Sequence, residues 1–577
     1  MQRGGQTEDR PFSALSRGDF SANAPHLTSP LPAPKLLVPP MTLDPSRPDS
    51  ASPLASPAPR VRLVSAFDHP LDNAVAAART CYSPRIITAE EVGATERSRA
   101  LRDRIARETY AAGHHTTLQH ATFQFTFEQV SRQLVWSLFH AHPFYNSEQV
   151  SQRYVPVDLS AMTVPRLPSE AMEALFRTAG QRAMEAYARL TDMLMPSAEE
   201  AWLQLFPARR AQRDKHLGAI RKKAMEAARY VLPVAAWTHL YHTVSGLTLH
   251  RYARALNFCD VPGEARLAIE AMVSSVRAQD PDFFHTLQDP APLEETPQFC
   301  LLASLGQSAP VPSAEQVLSF RREFDASLPQ GRCAALIDWS ARGEATLADA
   351  IRHVLGLPQN ALSNEAAIAA VLAPRQNSLL AEPLKLLTMD KLSRCLQLVH
   401  YTFRKKLSHT ADSQDQRHRM TPAARPVLAR QYAAGHPDFV TPALIAACPQ
   451  AEDFYRSELT ALFGAVDRLL DMGASAEGAL YLLPNAFPIR FDESGDLLAL
   501  HHKWTTRLCL TAQEEIWRAS RDEVTAVAAL HPAITRWIGP PCTLRKAAGQ
   551  TPFCPEGPRF CGIPAWGRDL TGLQRIL

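Results

Sequence analysis

The sequence lacks the features that indicate a membrane, secreted or nucleic-acid-binding protein. It contains no uninterrupted apolar run of about 18 residues, so it predicts no membrane-spanning helix. Its first residues do not show the charged and then apolar pattern of a secretory leader. The 61 Lys and Arg residues nearly balance the 58 Asp and Glu residues, and the net charge is only +3. We therefore expect a cytoplasmic protein with neither a nucleic-acid polymer nor a membrane as its partner.

Cysteine occurs ten times, but without the short, regular spacing of a disulfide framework or a zinc site. Cys542, Cys554 and Cys561 stand together in a Pro- and Gly-rich tail, at the spacings C-x11-C and C-x6-C. These spacings differ from the CxxC knuckle of zinc sites, and a fourth ligand is missing. The sequence therefore predicts reduced, half-buried cysteines and no metal, with a zinc site as the alternative.

Length and composition indicate several ordinary globular domains. The 577 residues suffice for two to four domains, and a hydrophobic content of 46% permits ordinary cores. Residues 1–59 hold 12 of the 46 prolines together with many Ser and Ala residues, which predicts a disordered segment. Residues 286–315 are also Pro-rich and are predicted to form a linker, while residues 536–577 form a cysteine-containing tail.

The most informative stretch begins at Gly113 and continues His-His-Thr-Thr-Leu-Gln-His to His120. Phe123, Phe125 and Phe127 then alternate with polar residues, which is the period of a half-buried strand. The three histidines carry imidazoles that titrate near neutral pH. The stretch predicts either a functional polar loop that leads into a strand or a structural surface loop beside a sheet.

A helix is predicted next, over residues 128–139, because its apolar residues form one stripe. It ends at His140-Ala141-His142-Pro143, where the proline prevents easy continuation. Glu148 and the run Ser151-Gln152-Arg153-Tyr154 follow. Further along, residues 228–233 read Ala-Arg-Tyr-Val-Leu-Pro.

Together these segments resemble the flavin-dependent thymidylate synthases. That family has Gly-His-x-Ser/Thr-x-x-Glu/Gln-His before an alternating aromatic strand, then a helix, an Arg-His-Arg triplet and Asn-Glu-x-Ser-x-Arg-Tyr. It also has an Ala-Arg-x-x-Leu-Pro segment, which residues 228–233 match. Two departures are clear: the triplet is replaced by His140-Ala141-His142, and the loop after it is about one residue longer. The resemblance implies an α+β fold, with an antiparallel sheet and helices.

The second half resembles the same family and so predicts a tandem repeat. Residues 481–485 resemble the Leu-Pro segment, and residues 500–517 resemble the family's Leu-x-His and Ala-Gln-x-Glu-Ile segments. Residues 384–388 are predicted to form an apolar strand and residues 392–403 a helix with one apolar stripe. Ser393-Arg394 is therefore matched to Ser131-Arg132, and Arg404-Lys405-Lys406 to the basic triplet. We predict two repeats, residues 60–285 and 316–535, in which the match covers about 60–280 and 370–535.

The two repeats retain different members of the family's arginine pair. In the family, an arginine that activates the uracil ring follows the arginine of Ala-Arg-x-x-Leu-Pro by 27 residues. That position after Arg229 is Leu256, whereas Leu480 stands 27 residues before Arg507. One composite site that uses both repeats is therefore predicted, and the alternative is that the surviving arginines are structural.

The resemblance implies a role for each candidate residue. Arg507 is the catalytic candidate, and Ser151, Arg153 and Arg229 are the substrate-binding candidates. The cofactor-binding candidates are His114, Thr116, His140, His142, Glu148 and His502. Because histidine replaces arginine in the triplet and imidazole is mostly neutral at pH 7, we expect weak FAD binding that tightens as the pH falls.

The implied activity is the reductive methylation of deoxyuridylate (dUMP) to thymidylate. Methylenetetrahydrofolate gives the carbon, reduced FAD the hydride, and NADPH reduces the flavin. The partners would be dUMP and folate small molecules, and the assembly a homodimer or pseudo-tetramer. The alternative is a non-catalytic nucleotide-binding or regulatory paralogue that keeps the fold.

Overall fold

The computed structural model describes residues 55–141, 144–567, 573 and 575–577. His142 and residues 1–54 of the predicted disordered segment lie outside the described residues. Ten strands are present in the described part: β1 (Ala55–Ser56), β2 (Arg60–Ala66), β3 (Thr122–Ser131), β4 (Asn146–Gln149), β5 (Val164–Pro165), β6 (Trp237–Ser245), β7 (Ala334–Trp339), β8 (His400–Ser408), β9 (Ala423–Ala424) and β10 (Pro488–Asp496).

The helices of the first half are α1 (Pro70–Thr80), α2 (Ala89–Gly93), α3 (Glu96–Ala111), α4 (Arg132–Ala141), α5 (Glu170–Leu205), α6 (Arg213–Ala228), α7 (Gly246–Arg254), α8 (Pro262–Gln279) and α9 (Pro297–Ser304). Those of the second half are α10 (Ala314–Ala326), α11 (Gly343–Leu355), α12 (Asn364–Leu372), α13 (His409–Asp415), α14 (Ala443–Ala446), α15 (Pro449–Asp471), α16 (Ala476–Leu480), α17 (Leu497–Arg507), α18 (Glu514–Ala528), α19 (Pro532–Thr535) and α20 (Pro541–Ala547). No helix in the described ranges is long and apolar enough to cross a membrane.

Each half contains a four-stranded antiparallel sheet with the same topology. The first sheet has the order β2-β3-β6-β4 and the second the order β7-β8-β10-β9. In both, the first strand pairs with the second, the second with the fourth, and the fourth with the third. A bulge interrupts the first strand at the same place, after Leu63 and after Leu336. The predicted α+β fold and the two-repeat arrangement are confirmed.

The core of the first sheet follows the predicted alternation. Phe123, Phe125 and Phe127 of β3 are buried, while the residues between them are partly exposed. One face of this strand therefore packs on the helices, which is the usual arrangement of a half-buried antiparallel strand. The hydrophobic core that contains these rings continues into residues of the second half, such as Tyr481 and Leu483.

Two local predictions in the second half are wrong. The predicted helix over residues 392–403 is a 3₁₀ turn, Ser393–Leu398, followed by strand β8. In β8, Tyr401, Phe403 and Leu407 are buried at a period of two, which a short apolar run does not distinguish from a helix. The predicted strand over residues 384–388 contains only a short 3₁₀ turn, Leu386–Thr388.

A pseudo-twofold pairing of the two Leu-Pro segments joins the repeats. Val234 N–H donates to the Leu483 carbonyl at 2.8 Å, and Asn485 N–H donates to the Leu232 carbonyl at 2.8 Å. The pairs Ala235–Tyr481 (3.0 Å) and Ala486–Tyr230 (2.9 Å) are related in the same way. Each contact therefore occurs twice, as in an isologous interface between two identical subunits.

Candidate functional site

Two buried glutamates mark equivalent positions in the two repeats. Glu264 of α8 accepts hydrogen bonds from the Ser131 N–H (2.7 Å), the Ser131 hydroxyl (2.5 Å) and the Tyr481 hydroxyl (2.6 Å). The second repeat has the same set, in which Glu515 of α18 accepts hydrogen bonds from Ser408 N–H, the Ser408 hydroxyl and the Tyr230 hydroxyl. Each carboxylate thus ties the end of a central strand to the Leu-Pro segment of the other repeat.

This symmetry identifies the basic triplet of the second repeat. Ser131 ends β3 and Ser408 ends β8, so α13 corresponds to α4. Counted from these serines, the position of His140-Ala141-His142 corresponds to Arg417-His418-Arg419. The second repeat therefore carries Arg-His-Arg itself, just after its helix. The match of the triplet to Arg404-Lys405-Lys406 is wrong, because those residues lie in β8, before the helix.

The cations of residues 404–406 already have partners. Arg404 pairs with Asp492 at 3.0 Å, and Lys406 pairs with Asp325 at 2.8 Å. The fully buried Lys405 contacts a group of carboxylates, which are those of Asp415 (2.6 Å), Glu493 (3.0 Å) and Glu523 (2.8 Å). These ion pairs join β8 to β10 and to the helices α10, α13 and α18.

Arg507, the predicted catalytic residue, ends α17 and is held by the triplet segment. Its Nε donates to His418 Nε2 at 2.8 Å, and its terminal NH2 group donates to the Gln414 carbonyl at 2.6 Å. Burial lowers the pKa of His418 well below its usual range, so this ring is a neutral acceptor. The His502 ring, a predicted cofactor contact, lies 5.7 Å from the His418 ring.

Arg153 reaches from the first repeat to the loop that follows Arg507. Its Nε donates to Glu226 at 2.5 Å, and its terminal NH2 group donates to the Thr511 carbonyl. Ser151 Oγ accepts a hydrogen bond from the Arg153 N–H at 3.3 Å. The predicted Ser/Arg pair of one repeat therefore lies beside the predicted catalytic loop of the other.

Arg229, like Arg153, contacts the loop that follows Arg507, in this case through the side chain of Gln513. Its terminal NH2 group donates to Gln513 Oε1 at 2.8 Å, and Gln513 also contacts the side chain of Gln414. Burial lowers the pKa of Arg229, and its Nε atom is buried with no hydrogen-bond partner among the described residues. A buried donor without an acceptor is costly, and an anionic ligand would remove that cost.

The guanidinium groups of four arginines influence one another across the repeats. Burial lowers the pKa of Arg507 to about 10; Asp415 opposes this shift, and the charges of Arg153 and Arg417 add to it. The charge of Arg153 likewise lowers the pKa of Arg229. Like charges held together in a poorly hydrated space attract an anion, and planar guanidinium groups match phosphate oxygens in geometry.

Arg417 and Arg419 line an adjacent open cavity of about 300 Å³ together with residues of the first repeat. Arg417 donates to the Ser147 carbonyl at 2.7 Å and lies 3.4 Å from Glu148, whose side chain is 89% exposed. Arg419 lies over the ring of Tyr145, 5.0 Å from its centre. Glu148, a predicted cofactor contact, is thus next to the triplet, but the triplet comes from the other repeat.

His140 differs from the expectation for a phosphate-binding cation. Its ring packs edge-on against Trp136 at 4.2 Å, and its Nε2 lies 3.4 Å from Asp260. Burial lowers the pKa of His140 to about 3, and the charge of Arg425 adds to the shift. The imidazole is therefore neutral at pH 6–8, so the expected tightening of FAD binding through its protonation has no basis at this residue.

His114 and Thr116 lie at the end of β3 that is far from Arg229. They belong to the loop and 3₁₀ turn (His115–His120) that precede β3, whereas Arg132, beside Arg229, follows the far end of that strand. Ten residues of strand separate the two ends by roughly 30 Å. The His114 carbonyl accepts from the Thr117 hydroxyl at 3.3 Å, and His115 packs on Tyr110, which are contacts within the first repeat.

Three functional candidates, Arg417, Arg419 and Gln513, are absent from the sequence-based set. The signal for the first two is present as the literal triplet Arg-His-Arg at residues 417–419. The helical interpretation of residues 392–403 conceals it, because it places the triplet position 13 residues too early. Gln513 belongs to the matched Ala-Gln-x-Glu-Ile segment, but only the tertiary structure brings its side chain to Arg229.

Comparison with known proteins places this geometry in a family. The sequence profile described as "Thymidylate synthase complementing protein" matches residues 62–282 and again residues 335–533. Two matches in tandem cover most of the chain and coincide with the two sheets. The chain belongs to this family. The double match also agrees with the two repeats that the strand order reveals.

Curated relatives carry the name flavin-dependent thymidylate synthase. The protein of Clostridium tetani is 28% identical over 225 residues, which are 39% of this chain and 85% of that protein. The protein of Mycobacterium sp. (strain JLS) is 34% identical over 139 residues, or 24% of this chain and 51% of that protein. The chain thus spans only about half the length of several relatives that it matches.

Solved structures of lower identity are also similar. One is the flavin-dependent thymidylate synthase of Helicobacter pylori complexed with FAD and dUMP, at 15% identity and a TM-score of 0.28, covering 40% of this chain and 100% of that chain. Another is a UMP/dUMP methylase from Streptomyces cacaoi bound with 5-Br dUMP, at 18% identity and a TM-score of 0.28, covering 41% and 97%.

Proposed function

We propose that this chain is an FAD-dependent thymidylate synthase with one composite active site built from both repeats. The reaction would be the reductive methylation of dUMP to thymidylate, with methylenetetrahydrofolate as carbon donor and NADPH as reductant. The observation that carries the proposal is the convergence of Arg153 and Arg229 from the first repeat on Arg507 from the second. The family membership supplies the reaction class.

In this site the first repeat binds the nucleotide phosphate. Ser151 and Arg153 offer a hydroxyl and a guanidinium, and Arg229 offers the buried Nε–H that has no acceptor among the described residues. A phosphate would replace the Thr511 carbonyl or Glu226 as the partner of Arg153. Because charged hydrogen bonds to phosphate are short and strong, these three residues would determine affinity more than turnover.

The second repeat stabilises the charge that develops on the uracil ring. Arg507 is half-buried and stays protonated at neutral pH, since its pKa is lowered only to about 10. His418 and the Gln414 carbonyl hold two of its nitrogens, so its orientation is set before substrate arrives. A fixed cation in a poorly hydrated site stabilises a developing negative charge far better than a mobile one in water.

The chain offers a place for FAD that differs from the expected one. Arg417 and Arg419 line the cavity beside Glu148 and Tyr145, and their guanidinium groups fit the phosphates of a dinucleotide. The ring of His502 packs against that of His418, the middle residue of the triplet. When bound there, FAD would supply the hydride chemistry, while the protein supplies binding and orientation. A soluble cytoplasmic homodimer, which would be a pseudo-tetramer of repeats, is part of the same proposal.

Tritium release from dUMP labelled at C5 tests the activity directly. The full chain is assayed with FAD, NADPH and methylenetetrahydrofolate, and nucleotide and flavin binding are measured on the same preparation. We expect a yellow protein and release of tritium that requires all components. Nucleotide binding without release, from a protein that binds FAD, would support the non-catalytic paralogue instead. A chain that binds neither molecule would contradict both.

A further inference from the structure

Four cysteines from separate parts of the second half line one small pocket. Cys509 lies in the loop after α17, Cys542 lies in α20, and Cys554 and Cys561 lie in the tail that follows. All four are free thiols. Cys509 is the fourth member that the tail by itself lacks, and it comes from a loop more than 30 residues upstream.

The four cysteine side chains line the same pocket, and the charge of an ionised thiol in it influences its neighbours. Burial raises the pKa of Cys542 to about 11 and also raises the pKa values of Cys554 and Cys561. Such thiols are poor nucleophiles when protonated, but a metal replaces their protons and makes the thiolate form stable.

The surroundings of the pocket suit a buried, negatively charged sulfur centre. Its walls are apolar and rich in proline, with Leu510, Pro541 and Phe560 among them. The Ile563 N–H donates to Cys561 Sγ at 3.4 Å, and N–H groups directed at cysteine sulfur tune iron–sulfur centres. Arg545 and Arg575 provide positive charge near Cys554 and Cys561.

The arrangement favours a multi-atom centre over a single zinc ion. Among the described residues, no three His, Cys, Asp or Glu side chains are arranged to hold one metal ion. Zinc sites also use close CxxC-type pairs, whereas the spacing here is C-x32-C-x11-C-x6-C. A [4Fe–4S] cluster takes four cysteine thiolates around a larger body, and Cys554-Pro555 repeats the Cys-Pro ending of one ferredoxin motif. We propose that Cys509, Cys542, Cys554 and Cys561 bind a [4Fe–4S] cluster.

The cluster would fasten the tail to the loop of the composite site. Cys509 is two residues from Arg507 and two from Thr511, whose carbonyl receives Arg153. The tail already contacts this loop, since Arg575 donates to the carbonyls of Leu510 (3.2 Å) and Ala512 (3.0 Å). A cluster that binds both segments would hold them in register. This assignment rests on the thiols and does not depend on the proposed nucleotide chemistry.

Metal and sulfide analysis of the full chain, purified without oxygen, tests the proposal. We expect iron and acid-labile sulfide in equal amounts, about four of each per chain. Reduction with dithionite should produce an electron paramagnetic resonance signal that flavin does not give. Cys509→Ser and Cys542→Ser should lose most of the iron and sulfide. The matched control is Cys300→Ser, since Cys300 is an exposed thiol of α9 outside the pocket, and it should retain both.

Thiol protection gives a second measurement that needs no variant. Alkylation of the native chain should spare these four cysteines, and removal of iron with a chelator should expose them. The cluster is overturned if the protein contains one zinc per chain that depends on the same cysteines. It is equally overturned if neither the anaerobic protein nor protein treated with iron and sulfide retains iron. If the serine variants do not fold, the protection pattern of the parent decides.

Discussion

The two repeats have kept the same structural residues but differ in their candidate functional residues. Both retain the Ser–Glu–Tyr set, in which Glu264 and Glu515 each accept two hydrogen bonds from a serine of their own repeat and one from a tyrosine of the other repeat. By contrast, the Ser/Arg pair and Arg229 occur in the first repeat, and Arg-His-Arg and Arg507 in the second. A structural contact is needed twice because the interface is symmetric, whereas the proposed composite site would need each functional group only once.

The largest effect on activity is expected at Arg507, which has a leucine at the equivalent position of the first repeat. We expect Arg507→Ala to lower turnover by about 100- to 1000-fold, because its charge acts mainly in the transition state. dUMP affinity should change much less. Arg254→Ala is the matched control, since Arg254 ends the equivalent helix α7 but is only half-buried and donates to the Asp289 carbonyl. Equal losses in the two variants, measured by tritium release, would contradict the composite site.

The shared glutamates should matter equally in both repeats. Glu264→Ala and Glu515→Ala each leave buried donors without an acceptor, so each should lower the free energy of unfolding by about 3 kcal/mol. Thermal unfolding followed by circular dichroism measures the effect, and Glu270→Ala is the control because Glu270 is an exposed residue of α8. If the midpoint of thermal unfolding falls for one glutamate variant and not for the other, the two equivalent contacts do not stabilise the interface equally.

Arg229 should act on binding more than on turnover. Its loss removes a charged hydrogen-bonding partner, so Arg229→Ala should weaken dUMP binding by about 1.5–3 kcal/mol. Isothermal titration calorimetry measures the affinity, and turnover at saturating dUMP should stay close to that of the parent. Arg221→Ala, on the exposed face of the neighbouring helix α6, is the control. If Arg229→Ala binds dUMP as tightly as the parent, Arg229 does not bind the nucleotide and serves only to hold Gln513.

The smallest effect is expected when the pH is changed and FAD affinity is measured. Protonation of His140 would require a pH near its lowered pKa of about 3, so no imidazolium forms there between pH 8 and pH 6. Arginine keeps its charge throughout this range. FAD affinity, measured by fluorescence titration, should therefore be the same within about threefold at both pH values.

Two substitutions sharpen this last expectation. The double variant Arg417→His and Arg419→His gives the second repeat the residues that the first has at those positions. Its FAD affinity should fall at pH 8 and partly recover at pH 6, while His140→Gln should leave the affinity unchanged. If His140→Gln weakens FAD binding and the double variant does not, the cofactor clamp belongs to the first repeat.

Sequence patterns predict the fold most reliably where they are long and periodic. The alternation of Phe123, Phe125 and Phe127 predicts β3, and the segments around Arg229 and Arg507 predict the repeat because their spacing leaves no gaps. The short run over residues 392–403 misleads, because five apolar residues at mixed spacing fit a helix and a buried strand equally well. That single error shifts the register and conceals the triplet at residues 417–419.

The sequence by itself determined that two repeats of one family are present. It also determined that each repeat has a leucine where the other has an arginine, namely Leu480 for Arg229 and Leu256 for Arg507. Only the tertiary structure decided which partners meet. Arg153 reaches Thr511, Arg229 reaches Gln513, and Cys509 lines one pocket with the cysteines of the tail, in each case across long stretches of chain. Local sequence patterns predict which face of a helix or strand is apolar. Contacts between distant segments depend on how those faces pack together in the tertiary structure. Burial also decided the protonation of His140, because removal from water disfavours its charged form.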